Sequence, residues 1–196
     1  MGLDASGLKD AIEGVLTSEP PSIDAFAGDL AAAIIGYLGD VVIDYPAAPG
    51  INPAGPTPDP SFSTGNGEPV VPPSAQESSL KAAILASCNA TEAANERDWS
   101  AADAGYATVI VAIGASWKTK DAYMSTGATA PGPTVGFADA LAVGDSPAEG
   151  EEGGTQSDVA QALADAVDAT TTGSTFTGAY LKGAFVGAAP QVSALS

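Results

Sequence analysis

Nine prolines fall between residues 46 and 74, and they constrain the fold more firmly than any other feature of the chain. Proline lacks a backbone donor and fixes φ, so a stretch of this density sustains neither a helix interior nor a central strand. It favours extended, polyproline-like backbone instead. Residues 46–77 therefore read as a linker or an arm, which either ties the N-terminal helices to the rest or lies along a neighbouring subunit. Regular structure must lie on either side of it.

Before this tract, Leu8, Ile12, Val15 and Leu16 recur at helical spacing after Asp4 or Ser6, and Pro20-Pro21 ends that first helix. Ser22 is placed to cap a second helix whose face carries Ile23, Phe26, Ala27, Leu30, Ile34, Tyr37 and Leu38, up to Gly39. Val41-Val42-Ile43 predicts a short strand that closes an N-terminal segment, residues 1–45. After the tract, Leu80, Ile84, Leu85 and Cys88 predict a helix that breaks at Asp98-Trp99-Ser100. Ser100 with Asp103 has the spacing of a capping box, and Tyr106, Val109, Ile110, Ile113 and Trp117 predict a second helix. These two form an expected antiparallel hairpin within residues 78–126, with Trp99 and Trp117 at its ends.

Residues 127–156 read as an acidic, Gly-rich loop interrupted by an apolar stretch from Phe137 to Val143. A last helix is expected from Ser157 to about Ala169, where Thr170-Thr171-Thr172-Gly173 shifts the pattern toward strand. Phe176, Tyr180, Phe185 and Val186, spaced by glycines, then read as short strands or a docking tail within residues 157–196. The expected class is mainly α with short β segments and long Pro/Gly-rich irregular arms.

Leu, Ile, Val and Phe together supply 38 of 196 residues, and 40 more are Ala. Alanine buries little area, and at about 25 cal/mol per Å² an Ala-lined face drives folding far less than a Leu-lined one. A thin core follows, marginal in isolation and completed by neighbouring subunits. The candidates for partner contact are Phe26, Leu30, Tyr37, Trp99, Trp117, Phe176, Tyr180 and Phe185.

The formal net charge of −18 opposes contact with nucleic acid or an anionic membrane surface. It reads first as solubility and second as adaptation to a saline habitat. No charged, apolar leader is read at the N-terminus, and no apolar run approaches a bilayer-spanning length. Cys88, the single cysteine, cannot make an internal disulfide and reads as a small buried hydrophobe.

The chain contains no histidine, which removes Ser-His-Asp and Cys-His catalysis, His-assisted metal sites and the commonest general base at neutral pH. Carboxylates remain: Glu92, Glu96, Asp98 and Asp103 stand on or beside the hairpin, where a suitably spaced pair would act on glycosidic bonds. Such pairs arise without function in a chain with 24 acids. Gly65-Asn66-Gly67 lacks the following helix and spacing of a phosphate-binding loop, and Asp145, Glu149, Glu151 and Glu152 lack the spacing of a calcium loop. The opening Met1-Gly2-Leu3-Asp4-Ala5-Ser6 fits a loose myristoylation pattern, and Asn89-Ala90-Thr91 fits the glycosylation sequon. Both patterns are short, and the sequon falls inside an expected helix. No cofactor, metal or catalytic residue is read from the chain.

An Ala-rich helical frame, Pro/Gly arms at residues 46–74 and 127–154 and a Gly/Thr-rich C-terminal segment, all without catalytic groups, resemble minor structural proteins of tailed bacteriophages and related contractile injection systems. The resemblance implies a non-enzymatic virion component in several copies, docked on a symmetric ring or shell, in the tail or baseplate rather than the capsid. Two alternatives stand beside it: a secreted or surface adhesion module, with the Thr-rich and Pro-rich tracts as stalks, and a small carboxylate-dependent glycan hydrolase.

Overall fold

The computed structural model describes residues 3–45, 50–51, 65–94, 98–118, 123–130, 136–144, 154–182, 185–187 and 191–195. The fold is mainly α with short strands, as the apolar periodicity predicts, and the described residues hold six helices, one more than the five read from the sequence.

Asp4 starts helix α1 (Ala5–Thr17) by accepting from the Gly7 N–H, and Ser22 starts α2 (Ile23–Leu38) by accepting from the Ala25 N–H. Each satisfies a backbone donor that has no partner within its helix. Between them the chain turns through Glu19, whose φ of 48° lies in the left-handed region, just before Pro20-Pro21. Past α2 the backbone stays in a turn, because the Val41 N–H donates to the Leu38 carbonyl. Strand β1 (Ile43–Tyr45) therefore starts two residues later than the valines predict.

Part of the tract read as a linker joins the sheet. Gly50–Ile51 forms β2 and Gly65–Pro69 forms β3, while the intervening residues lie outside those described. Pro69 is tolerated because it closes its strand. A 3₁₀ turn (Pro73–Gln76) leads into α3 (Glu77–Ala94), which pairs with α4 (Ser100–Ala115) as the expected hairpin.

The capping box read at Ser100 and Asp103 is not formed. Trp99 holds the cap position, the Asp98 carboxylate accepts from both the N–H and the hydroxyl of Ser100, and Asp103 turns away to accept from the Phe137 N–H. Trp117 lies beyond α4, in β4 (Ser116–Lys118).

Strand β5 (Tyr123–Ala130) starts within the segment read as the hairpin and runs into the span read as a loop, and helix α5 (Phe137–Ala142) forms on the apolar stretch of that span; its acids Asp145, Glu149, Glu151 and Glu152 lie outside the described residues. Helix α6 (Gln156–Thr172) opens on a capping box between Thr155 and Asp158. It runs through Thr170 and Thr171 rather than turning to strand there. Both threonines are buried, and the Thr171 hydroxyl donates to the Val167 carbonyl, so packing overrides the β-branched preference. Strands β6 (Thr175–Lys182), β7 (Phe185–Gly187) and β8 (Gln191–Leu195) complete the chain.

The helices pack in a cycle. Each contacts the next along the chain, and α6 returns to α1. At that junction Gln156 donates to the Leu16 carbonyl and Ser157 to the Glu13 carboxylate. The strands close as well. All their pairings are antiparallel, and β6 pairs with both β5 and β8 while β8 pairs with β1 and β1 with β3. With β3–β4 and β4–β5 this makes a ring of six of the described strands, while β7 pairs with the other half of β6 and β2 pairs with β7.

Helices and strands meet over one core. Leu8, Ile12, Leu30, Ile34, Ile84, Ile110, Leu163 and Val167 fill its helical side, and Ile43, Trp117 and Phe176 fill its strand side. Each such side chain contributes on the order of 1.5–3 kcal/mol when buried. Alanine contributes differently, by letting helices approach. At Gly105 an added Cβ would run into the Ala83 side chain, so α3 and α4 cross with almost nothing between them.

Candidate interaction surfaces

The residues read as partner contacts divide in the structure. Leu30, Trp117 and Phe176 are fully enclosed, and Tyr37 and Trp99 nearly so; all five belong to this chain's own core. Their bulk is needed inside because the surrounding faces are alanine. Phe26 is half-buried against the core edge. The side chains of Tyr180 and Phe185 lie outside the described residues.

The polar groups that penetrate the core act as ties between helices. Tyr37 of α2 donates to the Asp168 carboxylate of α6 at 2.5 Å. The Thr171 hydroxyl spends its one hydrogen on the Val167 carbonyl, so the Tyr106 hydroxyl is the donor in its 2.5 Å bond to Thr171. Burial, followed by the Asp168 carboxylate, pushes the Tyr37 phenol far above its ordinary value. Burial also raises the Tyr106 phenol, so both remain donors at any physiological pH. Ser87, fully buried on α3, accepts from the Ala102 N–H in the first turn of α4, a donor the helix itself cannot satisfy.

The carboxylates considered as catalytic pairs are dispersed. Asp98 accepts from Ser100 just ahead of α4, and the Ser100 hydroxyl and then its N–H lower the Asp98 carboxyl. Asp103 is half-buried on the Phe137 N–H, and desolvation raises its carboxyl. Glu92 is exposed on α3, and Glu96 lies outside the described residues. The sequon also has a structural use: the Thr91 hydroxyl binds both the N–H and the carbonyl of Asp98 and so ties the hairpin turn. Burial raises the Cys88 thiol, which keeps it protonated and unreactive near neutral pH. Gly67 lies under the Trp117 ring, where a Cβ would collide.

Among the described residues, no group of three His, Cys, Asp or Glu side chains is placed to hold a metal, and no helix is long and apolar enough to cross a membrane.

Among the described residues, two surface concavities bear on the reading. One, of about 370 Å³, runs between α1 and α2 over Gly7, Leu8, Ala11, Ala33 and Gly36, with Asp4 and Asp40 at its rim. Its floor is low because a Cβ at Gly36 would meet nothing within 4 Å. The other, of about 300 Å³, opens where the β1–β3 ladder stops, between residues 39–42 and 68–73. Comparison with protein-family models, with curated proteins and with solved structures finds no match for the chain. The surfaces themselves must carry the functional reading.

No signal in the apolar pattern identifies the second cleft. It depends on where two non-adjacent segments stop pairing, and register is a property of the folded sheet.

Proposed function

We propose that this chain is a non-enzymatic structural subunit of a multi-subunit, virion-type assembly, docked through Ala-lined helix faces and extended segments. The observation that carries the reading is the α1–α2 groove. Its large residues point into the core while Gly7, Ala11, Ala33 and Gly36 leave an open, mostly apolar channel along two helices. Small residues allow a neighbouring backbone to approach closely, as Ala83 and Gly105 already do within the chain.

The use of polar groups agrees with this role. Tyr37, Tyr106, Ser87 and Asp103 each hold one element to another, which favours a rigid part over a reactive site. Absence of histidine supports the same reading from the sequence. The adhesion alternative draws on the Pro-rich tract, two pieces of which pair in the sheet.

The test is density-gradient fractionation of particles from the source, probed with an antibody against the chain. Co-migration with intact particles at a fixed copy number is expected. Recovery on the cell surface or free in the medium, with none in the particles, contradicts the proposal.

A further inference from the structure

Between Pro69 and Pro72, which line the cleft beside β3, the chain carries an exposed apolar edge outside the cleft lining itself. Val70 and Val71 are 50% and 37% exposed, two of five exposed large hydrophobic residues among those described. Their backbone is fixed from both sides. The Val70 N–H donates to the Ser116 carbonyl at 3.0 Å, and Pro73 is buried at the start of the 3₁₀ turn. Between them Pro72 has φ −64° and ψ 144°, polyproline II geometry, and its carbonyl accepts from the Ala75 N–H. An edge already ordered in this way loses little conformational entropy on binding.

The cleft behind this edge is acidic. Asp40 stands on one wall and Glu68 on the other, with Val41, Pro69 and Pro72 between them. Among the described residues neither acid is in an ion pair. Lys118, the register partner of Glu68 on β4, lies outside the cleft lining and makes no ion pair with it. The end of α2 adds to the negative potential, because its last turn carries no basic residue.

We infer that residues 68–73 and the adjoining cleft form a docking site for an extended, cationic segment of a different protein. Its apolar or aromatic side chains cover Val70 and Val71 while an Arg or Lys enters between Asp40 and Glu68. Arginine suits this site, because its stem packs on proline and valine while its head pairs with carboxylates. A second copy of this chain is a poor occupant, since it brings 24 acids against six basic residues. The inference rests on the assembly reading and names the chemistry of one partner within it.

The test measures fluorescence anisotropy of the intact protein with a short fluorescein-labelled peptide of alternating Arg and Tyr, and with its Glu–Tyr counterpart. The Arg–Tyr peptide is expected to bind, its counterpart is not, and binding should weaken as salt rises. Asp40→Asn with Glu68→Gln, and separately Val70→Ser with Val71→Ser, should each weaken binding by about tenfold, the loss of one good contact. Asp10→Asn with Asp29→Asn removes two exposed acids elsewhere and should change binding by less than about twofold.

All these substitutions are on the surface, and thermal melts confirm that each variant is folded. Equal weakening in the remote pair, indifference to the valine changes, or no binding of the Arg–Tyr peptide overturns the inference. Self-association strengthened by salt and abolished by the valine changes also overturns it, in favour of a second copy. None of these outcomes touches the assembly reading, which is decided by co-migration with particles.

Discussion

Gly114 lies directly beneath the Phe176 ring, and an added Cβ would overlap the ring carbons. Both groups are enclosed, so neither can step aside cheaply. Gly114→Ala is expected to cost roughly 1–3 kcal/mol in urea denaturation, the range for overfilling a packed core. Gly14 is the contrasting case: a Cβ there meets nothing within 4 Å, and Gly14→Ala should stabilise α1 by about 0.5–1 kcal/mol. If both substitutions act alike, the packing at Phe176 is misplaced.

Ser87→Ala strips the only acceptor shown for the Ala102 N–H and should cost about 1–3 kcal/mol, because a buried donor is left without a partner. Large apolar positions such as Ile84, Ile110 and Leu163 are legible from spacing alone. Ser87 is not, since a serine among Ala and Leu on a helix reads as neutral until the facing helix end is known.

Helix caps are the elements most directly tied to pH. Hydrogen bonds from the Thr155 hydroxyl, and then from its N–H, hold the Asp158 carboxyl below its ordinary value. A carboxyl lowered on folding stabilises the fold above its unfolded pKa of about 4 and loses that contribution as pH falls through the lower folded value. Protection of the first turn of α6 from hydrogen exchange should therefore decline below about pH 4. Thr155→Ala removes the hydroxyl but keeps the N–H, so it should shrink that decline and lower the melting temperature at neutral pH by roughly 2–4 °C.

Asp103 has the opposite sign. Burial raises its carboxyl and Asp139 adds to the shift, so ionisation penalises the folded state as pH rises through the unfolded pKa and above. Asp103→Asn keeps an acceptor for the Phe137 N–H, and its melting temperature at neutral pH should equal or exceed that of the parent. A clear fall would show that the charge itself is needed.

Element boundaries are legible where a short-range signal decides them, as at Ser22 and at Pro20-Pro21. They shift where a distant partner decides: Asp103 is drawn off to Phe137, and Thr171 stays helical against Tyr106.

At the scale of the molecule, the C-terminal strand closes the structure. Ala194 pairs with Asp44 on β1 and with Thr175 on β6, so β8 joins the first strand of the chain to the strand that follows α6. Deleting residues 191–196 should lower exchange protection within residues 43–44 and 175–178, at the amides that face β8, while the α3–α4 hairpin keeps its own. Uniform loss or no loss would contradict a ring joined by β8. This closure is not legible, because β8 pairs with β1 near the other end of the chain and its short run has no strong alternation. The thinness of the core also weighs less in the folded chain than its composition suggests. Alanine brings the helices close, and the few large residues then suffice to fill the space within one chain.

The central claim is that this self-contained body is one subunit of a larger symmetric object. The most direct measurement is the native mass of the complex isolated at its natural abundance, by mass photometry or native mass spectrometry. The account predicts a discrete multi-subunit mass with a fixed number of copies of this chain. Recovery of the free monomer alone would contradict it.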